Sequence, residues 1–79
     1  MITVLRDGAL RIVIFVDDHE PAHVHVFGDG EAKVNLAGNQ GVPELVWAVG
    51  MKRSELRRAM AVVTANRDTL LVRWRDIHG

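Results

Sequence analysis

The histidines are concentrated in one short segment, DDHEPAHVHV, which holds three of the four in the chain. His23 and His25 are two residues apart, so on a β-strand their rings project from the same face. His19 and Glu20 come just before them, in a turn that Pro21 stiffens. Because imidazole binds metals and transfers protons near neutral pH, this histidine segment is the part of the chain best suited to chemistry.

One interpretation of the histidine segment is a metal site. Two imidazoles on a rigid strand, with His19, Glu20 or Asp18 as a third ligand, are a donor set that zinc accepts. The spacing matches no specific zinc motif, however, so the sequence predicts neither a metal nor any other cofactor. If a metal does bind, His19, His23 and His25 are the expected ligands.

A second interpretation is acid/base catalysis in a small ribonuclease. His23 or His25 would act as general base or acid in phosphodiester cleavage, with Lys33 stabilising the phosphate. The simplest interpretation is structural: alternating His and Val make a half-exposed strand, and His19 and Glu20 close a turn through hydrogen bonds. The polar face of such a strand would also suit binding to another protein.

The elements that position these residues are predicted to form an antiparallel β-meander. Clusters of Gly, Asp, Asn and Pro divide the first fifty residues into strand-length pieces rich in Val, Ile and Phe. The predicted strands cover residues 2–6, 9–16, 23–27, 31–37 and 44–49. The sequence therefore predicts four or five strands within residues 2–49.

The hairpin that follows the histidine segment has a predicted register. Its Gly-Asp-Gly loop is short, and a slip by one residue would set every apolar side chain against a polar one. The expected cross-strand pairs are Phe27 with Glu31, Val26 with Ala32, His25 with Lys33, Val24 with Val34, and His23 with Asn35. This register places Lys33 on the same face as the two strand histidines.

The apolar period changes from two to between three and four after about residue 53, which predicts a C-terminal helix over about residues 53–77. Its apolar stripe consists of Leu56, Met60, Val63, Leu70, Trp74 and Ile77. A continuous helix of this length would measure about 36 Å, more than the roughly 30 Å diameter of a compact chain of this size. The prediction is therefore an α+β fold whose single long helix overhangs, packs on a partner, or is kinked or broken near Asn66.

The composition limits the classes of function. Ten basic and ten acidic residues cancel, so no overall field attracts nucleic acid, and the absence of cysteine excludes thiolate sites and disulfides. No glycine motif for phosphate binding, signal peptide or membrane-spanning segment is recognisable. The sequence thus predicts a single domain over residues 1–79 in a bacterial cytoplasm, without a membrane partner.

The histidine segment also resembles a known family. His19-Glu20-Pro21 followed by Ala22 and HVHV is similar to the hallmark of the DUF4160 family, a domain of unknown function found in small bacterial proteins. Supporting similarities are the early Thr-Val pair, the Glu-Ala-Lys start of the strand at 31–33, and the run from Asn66 to Trp74. Ala22 departs from the family pattern, which usually repeats the proline at that position.

The resemblance implies a cytoplasmic protein, often encoded beside another small domain of unknown function, in pairs that are discussed as toxin-antitoxin-like. It implies no established activity, and His19, Glu20, Pro21, His23 and His25 have only the status of motif residues. The leading hypothesis is therefore a component of a toxin-antitoxin-like two-protein module. Its partner would be a small cognate protein encoded nearby or a second copy, bound through the helix stripe or an exposed sheet edge. The alternatives are a ribonuclease acting on RNA and a metal-binding domain.

Overall fold

The computed structural model describes all 79 residues, which form a five-stranded sheet followed by two helices. The strands are β1 (Ile2–Asp7), β2 (Leu10–Ile14), β3 (His23–Phe27), β4 (Glu31–Asn35) and β5 (Glu44–Val49), and the helices are α1 (Arg53–Ala65) and α2 (Arg67–His78). A short 3₁₀ turn, Asn39–Gly41, precedes β5. The sheet order is β1-β2-β3-β4-β5, with every neighbouring pair antiparallel. The α+β meander is therefore confirmed, with five strands.

The predicted register of the β3–β4 hairpin is also confirmed. All five expected pairs are present, including His25 opposite Lys33 and His23 opposite Asn35. The valines of β3 are fully buried, as the alternation requires. The predicted ends of β2 and β4 were too long, because β2 ends at Ile14 and β4 ends at Asn35.

The core lies between one face of the sheet and the two helices. Its buried members come from β2, β3, the β4 region, α1 and α2: Leu10, Ile12, Ile14, Val24, Val26, Val34, Leu36, Ala59, Val62, Val63, Leu70 and Trp74. Burying each large aliphatic side chain contributes about 1.5–3 kcal/mol. Neither helix is long and apolar enough to cross a membrane.

The C-terminal region consists of two helices and not of one kinked helix. Asn66 separates them with φ −113° and ψ 14°, outside helical geometry, and its side-chain amide donates to the Val62 carbonyl at 2.8 Å. Next to it, Arg67 donates to the Leu36 carbonyl at 3.3 Å and so ties the start of α2 to the sheet. The break removes the predicted overhang, because each shorter helix fits a body of 34 × 28 × 19 Å.

The apolar helix stripe packs against the sheet. Val63, Leu70 and Trp74 are buried, and Met60 and Ile77 pack on the same core. The stripe is therefore occupied within the chain, and the expectation that it binds a partner is wrong.

The two edge strands differ in how they are protected. β1 has an extra residue, Val4, between its pairs with Val13 and Ile12, and it ends in the charged pair Arg6 and Asp7. β5 also has one extra residue, Val46, but its side chains from Leu45 to Val49 are all apolar. Bulges and charges are the usual protection of sheet edges, so β5 is the less protected edge.

Candidate functional site

The two strand histidines lie on the sheet face opposite the valines of the core. Their rings are 5.4 Å apart between centroids. The side chain of His23 is only 4% exposed and that of His25 only 12%. Val13, the cross-strand partner of His25, is also fully buried. Around the two histidine rings this face is thus covered by other parts of the chain, more than the half-exposed strand that the alternation predicts, whereas Phe27 and Lys33 on the same face are half-buried.

Part of the cover is a turn that follows β2. Asp18 donates its backbone N–H to the Phe15 carbonyl at 3.1 Å, and its Oδ2 accepts the Phe15 N–H at 3.3 Å. These reciprocal bonds fix the Asp18 carboxylate above the sheet. They also hold the Phe15 ring edge-on against His25, with 4.8 Å between centroids and an interplanar angle of 87°. The Glu20–Pro21 peptide bond that follows is cis.

A carboxylate and a carbonyl hold the His23 ring. Nδ1 of His23 lies 2.9 Å from the Pro21 carbonyl oxygen, and Nε2 lies 3.1 Å from Oδ2 of Asp18. Because a carbonyl oxygen can only accept, Nδ1 carries a proton. In the neutral ring, Nε2 therefore presents a lone pair to the Asp18 carboxylate.

His25 has a similar arrangement with a second carboxylate. Its Nδ1 lies 2.9 Å from Oε2 of Glu31, and its Nε2 lies 4.0 Å from Oδ2 of Asp18. Glu31 starts β4 and stands on the face of Lys33, two residues along the strand. The donor atoms of Asp18, His23 and His25 lie within 4.8 Å of one another, so these are the residues that could hold a metal ion.

Helix α2 closes the other side of the cluster. The Trp74 ring lies 5.1 Å from that of His23, and its Nε1 donates to Oε1 of Glu20 at 3.4 Å. His78 stacks on Trp74 with 3.8 Å between centroids. The two ring nitrogens of His78 lie 3.0 Å from the Trp74 carbonyl and 3.2 Å from the Phe15 carbonyl. The C-terminal helix is thus joined to the turn that carries Asp18.

The structure brings together only some of the predicted site residues. His19 is exposed and lies outside the cluster, whereas Asp18, one of the possible third ligands, lies at its centre. Lys33 lies beside His25, as the register predicts, but its ammonium group makes no ion pair. Nδ1 of both rings and Nε2 of His23 have protein partners, which leaves Nε2 of His25, 4.0 Å from Asp18, as the one nitrogen of the two rings without a hydrogen-bond partner.

Sequence reasoning missed three contributors to the cluster. Glu31 had a signal, because the predicted register puts it on the same face as Lys33. Phe15 had none, since its position depends on an irregular turn. His78 had no signal either, because its contact with Phe15 spans 63 residues of sequence.

Comparison with known proteins gave one match. The family model described as domain of unknown function (DUF4160) matches residues 10–75, which include β2 to β5, α1 and most of α2. No curated protein and no solved structure matches the chain.

Proposed function

This chain belongs to the DUF4160 family, and from that premise we propose that it acts by binding another protein, as one component of a toxin-antitoxin-like two-protein module in the bacterial cytoplasm. The observation that carries this proposal is the exposed apolar edge of the sheet, formed by β5.

The β5 edge, defined as Val42 and residues 45–49, holds five of the eight exposed large hydrophobic side chains of the chain. Exposed fractions are 52% for Val42, 38% for Leu45, 45% for Val46, 38% for Trp47 and 68% for Val49. Contiguous apolar patches on small proteins commonly mark interaction sites. Trp is also the residue type most enriched among the energetically dominant contacts of interfaces.

Backbone geometry gives this edge a specific mode of binding. β5 pairs with β4 on one side only, so its other side presents unpaired N–H and C=O groups. A strand from a partner would extend the sheet there through main-chain hydrogen bonds, and the side chains of the β5 edge would add apolar contacts. The opposite edge is less suited, because β1 ends in Arg6 and Asp7 and its apolar residues are partly buried.

The bulge favours a strand of another protein over a second copy. The six-residue strand β5 has its centre between Val46 and Trp47, and Val46 is the extra residue of the bulge. Full antiparallel pairing of two β5 strands would therefore bring the two bulges together at the centre of the interface. A bulge interrupts the main-chain hydrogen bonds between strands locally, so pairing of two β5 strands would lose hydrogen bonds at its centre. A strand of different sequence could instead match the bulge.

Co-expression with the product of the neighbouring gene tests the proposal. We expect the two proteins to purify together, and Val46→Lys to weaken the complex by about 10- to 100-fold, because burial of a valine contributes about 1.5–3 kcal/mol. Val72→Lys is the matched control, since Val72 is 54% exposed on α2, away from the β5 edge. A chain that remains a monomer and does not bind the neighbouring product, or two variants that bind alike, would contradict the proposal. A homodimer that Val46→Lys dissociates would show that the occupant is a second copy.

The ribonuclease alternative receives less support from the geometry. Both strand histidines are largely covered, and their ring nitrogens face protein groups. If expression of the chain is toxic, toxicity that persists after His23→Gln and His25→Gln together would eliminate this alternative. Toxicity that disappears in this double variant, with RNA cleavage by the purified wild-type protein, would favour it over the binding proposal.

A further inference from the structure

The cluster of Asp18, His23 and His25 has the donor set of a transition-metal site. Nε2 of His23 is 3.1 Å from Oδ2 of Asp18, and Nε2 of His25 is 4.0 Å from the same oxygen. Ligand bonds of about 2.0–2.1 Å in a tetrahedral zinc site place donor atoms roughly 3.3–3.4 Å apart. The three donors therefore need to shift by less than about 1.5 Å to surround one ion, since all lie within 4.8 Å of one another.

The outer nitrogens of both rings are already held as they are in metal sites. A histidine that binds metal commonly donates its other N–H to a carbonyl or a carboxylate, which fixes the tautomer and the ring orientation. Nδ1 of His23 has the Pro21 carbonyl at 2.9 Å, and Nδ1 of His25 has the Glu31 carboxylate at 2.9 Å. Both rings thus direct Nε2 toward the same side of the cluster.

These contacts leave electron-rich atoms facing one another. With both Nδ1 atoms protonated, the neutral rings direct two Nε2 lone pairs toward the Asp18 carboxylate, and His23 is almost fully buried. Lone pairs that face each other in a largely dry environment repel unless a cation lies between them. The cation is either a proton on a ring nitrogen or a metal ion.

We propose that Asp18, His23 and His25 bind a first-row divalent transition metal of the Zn²⁺ type. Two imidazoles and one carboxylate suit such ions, whereas Mg²⁺ and Ca²⁺ prefer sets of oxygen ligands. The fourth position is available to water, because the Asp18 side chain is 19% exposed. This site lies on β3 and the turn before it. It shares no residue with the β5 edge, although the Trp47 ring of that edge lies 6.0 Å from the ring of His25.

The bound ion would connect the turn that carries Asp18 to β3. A domain of this size has a small hydrophobic core, and a metal is a common way to increase its stability. Metal binding to the folded chain only adds to the free energy of unfolding, since the unfolded chain has no preformed site. The ion would thus hold Phe15 and Asp18 against the sheet.

The first test uses the isolated protein without a histidine tag, after treatment with a chelator. Titration with ZnCl₂ should give one ion per chain by calorimetry, and a free concentration 100-fold above Kd should raise Tm by roughly 10–20 °C. MgCl₂ at the same concentration should leave Tm unchanged. No binding of Zn²⁺, or equal shifts with both salts, would overturn the proposal. Because no partner protein is present, this result is independent of the β5 edge proposal.

Matched variants assign the ligands. His25→Gln and Asp18→Asn should each weaken Zn²⁺ binding at least 10-fold, while His19→Gln and Asp17→Asn, at exposed neighbouring positions, should not change it. Co²⁺ in place of Zn²⁺ gives a second readout that needs no variant. The visible d–d absorption of Co²⁺ reports the coordination of the ion by the wild-type protein, so the test still works if a variant does not fold. Loss of binding in His19→Gln and not in His25→Gln would refute the assignment.

Nitrogen-15 NMR of the imidazole groups separates a metal from a proton. Addition of Zn²⁺ to the metal-free protein should shift the Nε2 signals of His23 and His25 and leave no proton on either Nε2 atom. A His23 ring with protons on both nitrogens and no response to Zn²⁺ would show that a proton is the cation in the cluster, and the proposal would fail.

Discussion

Replacing Trp74 by alanine is expected to remove a large part of the stability of this chain. Trp74 is 2% exposed and, with Leu70, is one of the two buried residues of α2. Truncation of a buried Trp to Ala costs about 3–5 kcal/mol, and the higher helix propensity of Ala returns roughly 0.5 kcal/mol. The expected net loss is about 2.5–4.5 kcal/mol. The total free energy of unfolding is roughly 4–12 kcal/mol for 79 residues at about 0.05–0.15 kcal/mol each.

Urea denaturation followed by circular dichroism measures this loss. With an m-value of about 1 kcal/mol/M for a small domain, the urea midpoint should fall by roughly 2.5–4.5 M. Trp74→Phe keeps an aromatic ring and should cost only about 1 kcal/mol, so it remains measurable if the alanine variant is unfolded. Val72→Ala, on the exposed face of the same helix, should be neutral or slightly stabilising because Ala has the higher helix propensity.

Two results would refute this reasoning. A loss below about 1.5 kcal/mol for Trp74→Ala would mean that α2 contributes little to the core, in conflict with the burial of the indole. A similar loss for Val72→Ala would mean that the buried and exposed faces of α2 have been exchanged. Either result would also contradict the packing of Trp74, on α2, against His23.

Two further predictions concern the hairpin loops and the surface. Gly30→Ala should lower the free energy of unfolding by about 1–3 kcal/mol, measured by urea denaturation. The added methyl group would collide with the backbone of Val49 and Gly50, which is less free to move than the end of a side chain. Arg58→Met should lower the free energy of unfolding by less than about 1 kcal/mol, because the 2.9 Å ion pair of Arg58 with Asp7 is half exposed at both ends. The loss should be smaller still in 1 M salt, which screens exposed charges. A larger, salt-independent cost would contradict this account.

The sequence was most informative where local chemistry determines structure. The β3–β4 register was predictable because a short glycine loop joins two strands whose apolar and polar residues alternate. The position of the helix break was predictable because the apolar stripe weakens at Asn66, a residue that adopts non-helical conformations. The sequence did not predict whether the result is a kink or two separate helices, because both leave the same pattern of apolar residues.

The candidate site was only partly predictable. The pairing of His23 with His25 followed from their spacing, but the covering of both rings depends on contacts between segments distant in sequence. Trp74 reaches Glu20 across 54 residues, and no local pattern predicts such a contact. The sequence favoured His19 over Asp18 as the third ligand, and only the irregular turn at Phe15 directs the aspartate to the cluster.

The exposure of β5 had no sequence signal either. Residues 45–49 are entirely apolar, which is the pattern of a strand buried on both faces, yet the strand lies at the edge of the sheet. Strand position is a property of the whole topology and not of the strand's own residues.

The contact of α2 with the turn before β3 has a consequence for the order of folding. Each strand pairs only with its neighbours in the sequence, and hairpins form in about 1–10 μs. The meander can therefore form before α2 docks, because the contact of His78 with Phe15 closes a loop of 63 residues and long loops cost more entropy to close. The histidine cluster then remains open to solvent, and to free ions, until Trp74 and His78 pack against it.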